Sequence, residues 1–95
     1  MKIDIDWFKN EFIPLMGEGY KLKYSSFKNG DFGDLDRIEF DGEGSGGNVD
    51  FWSSGWLSIH FVDYVIGEEL LNVLLEPQEI KEKGKAFKKL KQLLK

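Results

Sequence analysis

Three groups of residues have the side chains for chemistry. His60 is the lone histidine, and Ser53, Ser54 and Ser58 lie close to it in sequence. Triad or acid–base chemistry needs a nucleophile beside the imidazole and a third group that fixes its tautomer. The sequence marks neither, and a histidine in mid-strand is ordinarily a surface or packing residue. The second group is the acidic run Asp31, Asp34, Asp36, Glu39, Asp41 and Glu43. Its spacing departs from the twelve-residue calcium loop, and nothing singles out two of its members as a glycosidase-like pair. The third is the glycine-rich stretch 42–47. A phosphate cradle would need Gly-Lys-Ser/Thr opening a helix. Here Asn48-Val49-Asp50 opens a strand instead, and the flanking charges are negative. With no cysteine, thiolate metal sites, disulfides and a Cys nucleophile are excluded. The expectation is a protein without catalysis, metal or cofactor.

Binding is the remaining class, and charge distribution bears on it. The net charge of −4 divides into two parts. Residues 1–77 carry six basic and fifteen acidic groups, whereas 78–95 carry seven lysines and two glutamates. On the acidic body, the carboxylates Asp31, Asp34, Asp36, Glu39 and Asp41 read either as a rim that steers a basic partner or as a solubility device. The lysine-rich tail contains no arginine and is interrupted by Glu79 and Glu82. It reads as the wet side of an amphipathic helix, not as a nucleic-acid or membrane surface. Phe32, Trp52 and Trp56 are candidate apolar anchors. The two tryptophans flank Ser53-Ser54-Gly55, as either a small core at a sheet's end or an exposed patch.

These residues need a scaffold, and 95 residues allow one domain spanning 1–95. Eight Phe, three Trp and three Tyr supply a core that a chain this short otherwise lacks. Phe8, Phe12 and Leu15, with Ile5 a turn earlier, predict a helix over Ile5–Met16. Asp4 or Asp6 would cap it, and Pro14 would kink or end it. Period-two alternation then predicts strands from Tyr20, over Leu35–Asp41, through Val49 and Phe51, and over Trp56–Asp63. Asn29-Gly30-Asp31 is the first turn, residues 42–47 a flexible connector, and Ser53-Ser54-Gly55 the next turn. Leu57, Ile59 and Phe61 would face the core; Trp56, Ser58, His60 and Val62 would share the other face. Gly67–Glu76 fits a fifth strand better than a buried helix turn. Pro77 suits the first position of a last helix, with Ile80, Phe87, Leu90 and Leu94 as its apolar stripe. The fold expected is α+β: a four- to five-stranded antiparallel sheet with an N-terminal and a C-terminal helix packed on one face. The uncovered face would show Trp52, Trp56 and His60.

With Gly46-Gly47-Asn48-Val49-Asp50-Phe51-Trp52-Ser53-Ser54-Gly55-Trp56-Leu57 and Glu69-Leu70-Leu71-Asn72-Val73-Leu74-Leu75-Glu76-Pro77 in view, the sequence resembles small bacterial immunity proteins of contact-dependent growth inhibition systems. The resemblance covers the middle third and the last strand. It implies a cytoplasmic, non-enzymatic inhibitor of a toxin C-terminal domain, often a nuclease. It carries over no binding residue. The N-terminus lacks the apolar stretch of a signal peptide, which agrees with a cytoplasmic location. The expected partner is a cognate toxin domain, with no nucleic acid or membrane, and a monomer or weak dimer is expected. The alternative is an adaptor that self-associates through a sheet edge or its aromatic face.

Overall fold

The computed structural model describes residues 3–94; Met1 and Lys2 of the N-terminal segment, and Lys95 of the basic tail, lie outside the described residues. Five strands alternate in period two and pair antiparallel: β1 (Lys21–Gly30), β2 (Gly33–Asp41), β3 (Ser45–Trp52), β4 (Leu57–Asp63) and β5 (Glu68–Leu75). Each lies beside its predecessor, so the sheet is a simple meander with β1 and β5 as edges. Segment 67–76 does form the fifth strand.

One face of the sheet is covered by helices from both chain ends. Ile38, Phe40, Val49, Phe51, Leu57, Ile59, Phe61 and Leu71 face them in a single buried cluster with Phe8, Phe12, Met16, Phe87 and Leu90. Rings join the layers: Phe87 lies 4.9 Å from Trp7, 5.9 Å from Phe8, 5.3 Å from Phe12 and 6.2 Å from Phe51, centroid to centroid. At these separations aromatic pairs add stability beyond their buried area.

The N-terminal helix consists of α1 (Ile5–Trp7), a π-helical turn (Phe8–Phe12) and α2 (Ile13–Met16). Asp4 is the cap, accepting from the Trp7 N–H at 2.9 Å. Leu15 was expected in the core, but it is 53% exposed and Met16 is buried in its place. The wide π-turn adds a residue to the helical repeat and so moves the inward face from Leu15 to Met16. Pro14, which has no N–H to give, sits in the first turn after the wide one, and the helix ends two residues later.

Three turns differ from expectation. β1 runs on to Gly30, and its pairing with β2 is irregular between Phe27 and Gly30. The left-handed Asn29 (φ 61°) serves that irregularity, and the turn itself is Asp31-Phe32. The connector is also shorter than 42–47, because Gly46 and Gly47 belong to β3. A Cβ on Gly47 would collide with the His60 carbonyl oxygen, and one on Gly46 with the Tyr64 hydroxyl. These two glycines serve close strand approach, not flexibility. Pro77 lies in a turn before α3 (Ile80–Leu93) and not at its first position. There its ring packs against Gly55.

On α3 the buried positions are Lys83, Ala86, Phe87 and Leu90. Ile80 was expected in this stripe but is exposed, because the first helical turn overhangs a cleft at the sheet's end. Gly84 is exposed in mid-helix, and a Cβ there meets nothing within 4 Å. Gly84→Ala should therefore raise unfolding stability by about 0.5–1 kcal/mol, read as a higher urea midpoint with unchanged m-value.

Candidate functional site

The β1–β2 and β3–β4 turns lie at the same end of the meander and are bonded to each other. The Asp34 N–H donates to Ser53 Oγ at 2.9 Å, and the Ser53 N–H returns a bond to the Asp34 carbonyl at 2.8 Å. The Ser54 hydroxyl donates to the Phe32 carbonyl. Gly33 (φ 98°) permits this approach, since a Cβ on it would strike Ser53 Oγ. Of the three candidate serines, Ser53 and Ser54 are thus occupied in holding two turns together, whereas Ser58 lies on β4 two residues from His60.

The lock brings the three predicted anchors into one group. Phe32 stacks on Trp56 with centroids 4.4 Å apart and planes 8° from parallel, and meets Trp52 edge-on at 5.5 Å. All three rings remain partly exposed. Trp56 was expected on the open face beside Ser58 and His60, but it precedes β4 and closes the sheet's end instead. Beside it, a cleft of about 310 Å³ is lined by Ile5, Asp36, Phe51, Pro77, Ile80 and Lys83, among others. Lys83 ties this end to α3: its ammonium donates to the Gly55 carbonyl at 2.7 Å and to that of Pro77 at 3.2 Å. Burial pulls the Lys83 pKa down, with Glu79 opposing weakly.

The five predicted carboxylates do not form one rim. Asp31, in the turn, is exposed beside Phe32. Asp34 accepts from the Asn29 N–H at 3.1 Å and pairs with Lys28 at 3.6 Å, so it partly serves the turn. Asp36 pairs across the sheet with Phe51, on the helix-covered side, and accepts from the Ser26 hydroxyl at 2.8 Å. These three share the aromatic end. Glu39 and Asp41 lie further along β2 on the open face, opposite Lys23 and Lys21 respectively. Asp41 also accepts from the Tyr64 hydroxyl at 2.7 Å.

The open face holds a feature that alternation alone missed. Arg37 and Asp50 alternate with the core-facing residues of their strands, yet Asp50 is only 4% exposed. Arg37 grips it through two bonds, Nε to Oδ1 at 2.8 Å and Nη2 to Oδ2 at 3.0 Å, and Asn48 adds a third at 3.2 Å. The cross-strand register Arg37↔Asp50 was the signal available, but only once the pairing is known. On the same face, His60 Nε2 meets Glu69 Oε2 at 3.1 Å. Asn72, and after it His60, hydrogen-bond the Glu69 carboxylate and hold its pKa below the usual range. Among the described residues no three His, Asp or Glu side chains converge as a metal site would require. What the sheet end offers is a stiff, half-exposed aromatic surface with negative charge around it. No helix among the described residues is long and apolar enough to cross a membrane. The chain matches no family model, no curated protein and no solved structure.

Two measurements check this geometry. Asp50→Ala leaves Arg37 unpaired against a half-buried surface and should cost about 2–4 kcal/mol, whereas Glu39→Ala should cost under about 1 kcal/mol. The bond to Asp41, reinforced by burial, raises the Tyr64 phenol above its ordinary pKa of 10.0. The folded state thus favours the neutral phenol, a contribution present below about pH 10 and lost as pH rises through the raised value. An NMR titration should show Tyr64 ionising after an unperturbed phenol, and Asp41→Asn should return it to about 10.

Proposed function

We propose that the protein is an immunity-type inhibitor, which works by docking onto a basic toxin domain, with a nuclease the favoured toxin, and not by catalysis. The observation that carries this reading is the Phe32–Trp52–Trp56 group, locked between two bonded turns and flanked by Asp31, Asp34 and Asp36. Rigid aromatic rings lose little entropy on binding, and Trp is enriched among residues that dominate interface energy. A nuclease presents cationic groups to its phosphate-rich substrate, and carboxylates beside an apolar anchor complement such a surface. Asp31 and Asp36 are the steering charges in this scheme. Glu39 and Asp41 contribute less to the field, because Lys23 and Lys21 stand opposite them. The resemblance to immunity proteins of contact-dependent growth inhibition supports the same class, with a cytoplasmic site of action.

A second reading, self-association through a sheet edge, draws on β5. The β1 edge carries Lys21, Lys23, Lys28 and an irregular register, all of which discourage edge pairing. β5 has no lysine and leaves Leu74 exposed. Sedimentation separates the two readings: a stable homodimer favours the second.

The test of the first reading uses the basic C-terminal domain of a secreted protein encoded in the neighbouring reading frame as the partner. Asp31→Lys combined with Asp36→Lys should slow association about tenfold or more at low salt, with a smaller effect at high salt. An association rate indifferent to both substitutions and to salt would remove the electrostatic basis of the proposal.

A further inference from the structure

We infer that Asn29-Gly30 is a spontaneous modification site. In water the Asn29 side chain converts to an aspartyl or isoaspartyl linkage, and the isoaspartyl product loosens the lock between the two turns at the aromatic end.

Among the described residues, Asn29 is the one residue other than glycine with a left-handed backbone (φ 61°). Asn-Gly ordinarily forms the centre of a tight hairpin turn. Here the turn falls on Asp31-Phe32 instead. Phe27 pairs with Leu35 and Gly30 with Gly33, so Lys28 and Asn29 together face Asp34 alone, and β1 carries an extra residue. Asn29 and Gly30 are both exposed, on an edge strand. The Asn29 backbone N–H is held by Asp34 at 3.1 Å, but its side-chain amide makes no hydrogen bond among the described residues.

The reaction needs only the chain and water. The Gly30 nitrogen gives its proton to hydroxide and attacks Asn29 Cγ. The Cγ–Nδ2 bond breaks, and Nδ2 leaves as ammonia with a proton from water, so hydroxide is regenerated and a cyclic imide remains. Water then opens the ring. A water is consumed and an ammonia released. Glycine obstructs this attack least of all residues, because it puts no Cβ beside the nucleophile. The other asparagines lack these conditions. Asn10 is followed by Glu11 inside the π-helical turn, and Asn48 and Asn72 by the β-branched Val49 and Val73 inside strands. Asn48 also donates its amide to Asp50 at 3.2 Å, and Asn72 hydrogen-bonds Glu69.

The direction of ring opening decides the consequence. Cleavage at Cγ leaves an ordinary aspartate at position 29. Cleavage at the backbone carbonyl leaves an isoaspartyl link, whose main chain runs through Cβ and Cγ and is longer by an atom. That atom enters immediately before the Gly30↔Gly33 pair that closes the hairpin. Ser53 Oγ presses on Gly33 and accepts from the N–H of Asp34, the next residue. Displacing this pair loosens the lock and, with it, the stack of Phe32 on Trp56.

The experiment incubates the full chain, folded and without denaturant, from neutral to mildly alkaline pH. Anion exchange should resolve a growing acidic species, and peptide mass mapping should place the conversion at Asn29 and leave Asn10, Asn48 and Asn72 intact. Dependence on hydroxide should raise the rate about tenfold per pH unit. An isoaspartyl methyltransferase should label the product, and the purified isoaspartyl form should melt about 5 °C or more below the parent. Asn29→Gly should abolish the acidic species without preventing folding, because glycine suits the left-handed backbone. Conversion in urea with none in the folded chain would mean that the native strand protects Asn29, and overturns the inference. So does conversion at another asparagine, or an isoaspartyl form that melts with the parent.

Discussion

A meander has no crossover connections, so the elements that cover its apolar face must come from the chain ends. Here that places a short N-terminal helix and α3 side by side on five strands, and the structure depends on their interlocking. Phe87 is the joint, with Trp7, Phe8 and Phe12 from one helix and Phe51 from the sheet around its ring. Both helices fall at the length, about 12–15 residues, near which an isolated helix is marginal in water. Each is held by the other and by the sheet. The π-turn follows from the same demand: Phe8, Phe12 and Met16 must all face inward, and a regular repeat would have brought in Leu15 instead.

The sheet end inherits its stiffness from this joint. Phe51 is in the core, and the next residue, Trp52, begins the aromatic group at the turn. Lys83 stands one helical turn before Phe87 and spends its ammonium on the Gly55 and Pro77 carbonyls. The segment that carries Trp56 is thus fastened to the helix that closes the core. Serine bonds from the neighbouring turn complete the frame. A surface assembled this way resists rearrangement, which suits recognition by shape more than by folding on contact.

Period-two alternation carried most of the fold, because a strand with one buried face writes that face directly into its sequence. Leu57, Ile59 and Phe61 illustrate it, as do Ile38 and Phe40. Properties that depend on two segments at once were illegible. Asp50 reads as a wet residue until Arg37 is known to lie opposite; Lys83 reads as solvent-facing until two carbonyls are known to approach it. The π-turn leaves no periodic mark in a helix this short, so Leu15 and Met16 were exchanged. At the candidate site, the sequence offered Phe32, Trp52 and Trp56 as separate anchors, and their meeting became visible only once the meander set their turns at the same end. Nor could the sequence divide the carboxylates, because which face each one takes depends on strand register.

That division shows how little of the formal charge is available for recognition. Asp50 is consumed by Arg37, Asp34 by a turn and Lys28, and Asp41 by Tyr64 with Lys21 opposite. Fifteen acidic groups in the first 77 residues give a misleading picture of a uniformly negative body. The carboxylates that remain least compensated beside exposed apolar surface fall at the two ends of the sheet: Asp31 and Asp36 near the tryptophans, Glu43 and Glu68 near the β4–β5 turn. The centre of the open face, by contrast, carries matched charges in Arg37–Asp50 and in the rows that set Lys21 and Lys23 against Asp41 and Glu39. Steering potential falls off over about 10 Å at ordinary ionic strength, so each end acts as its own local field.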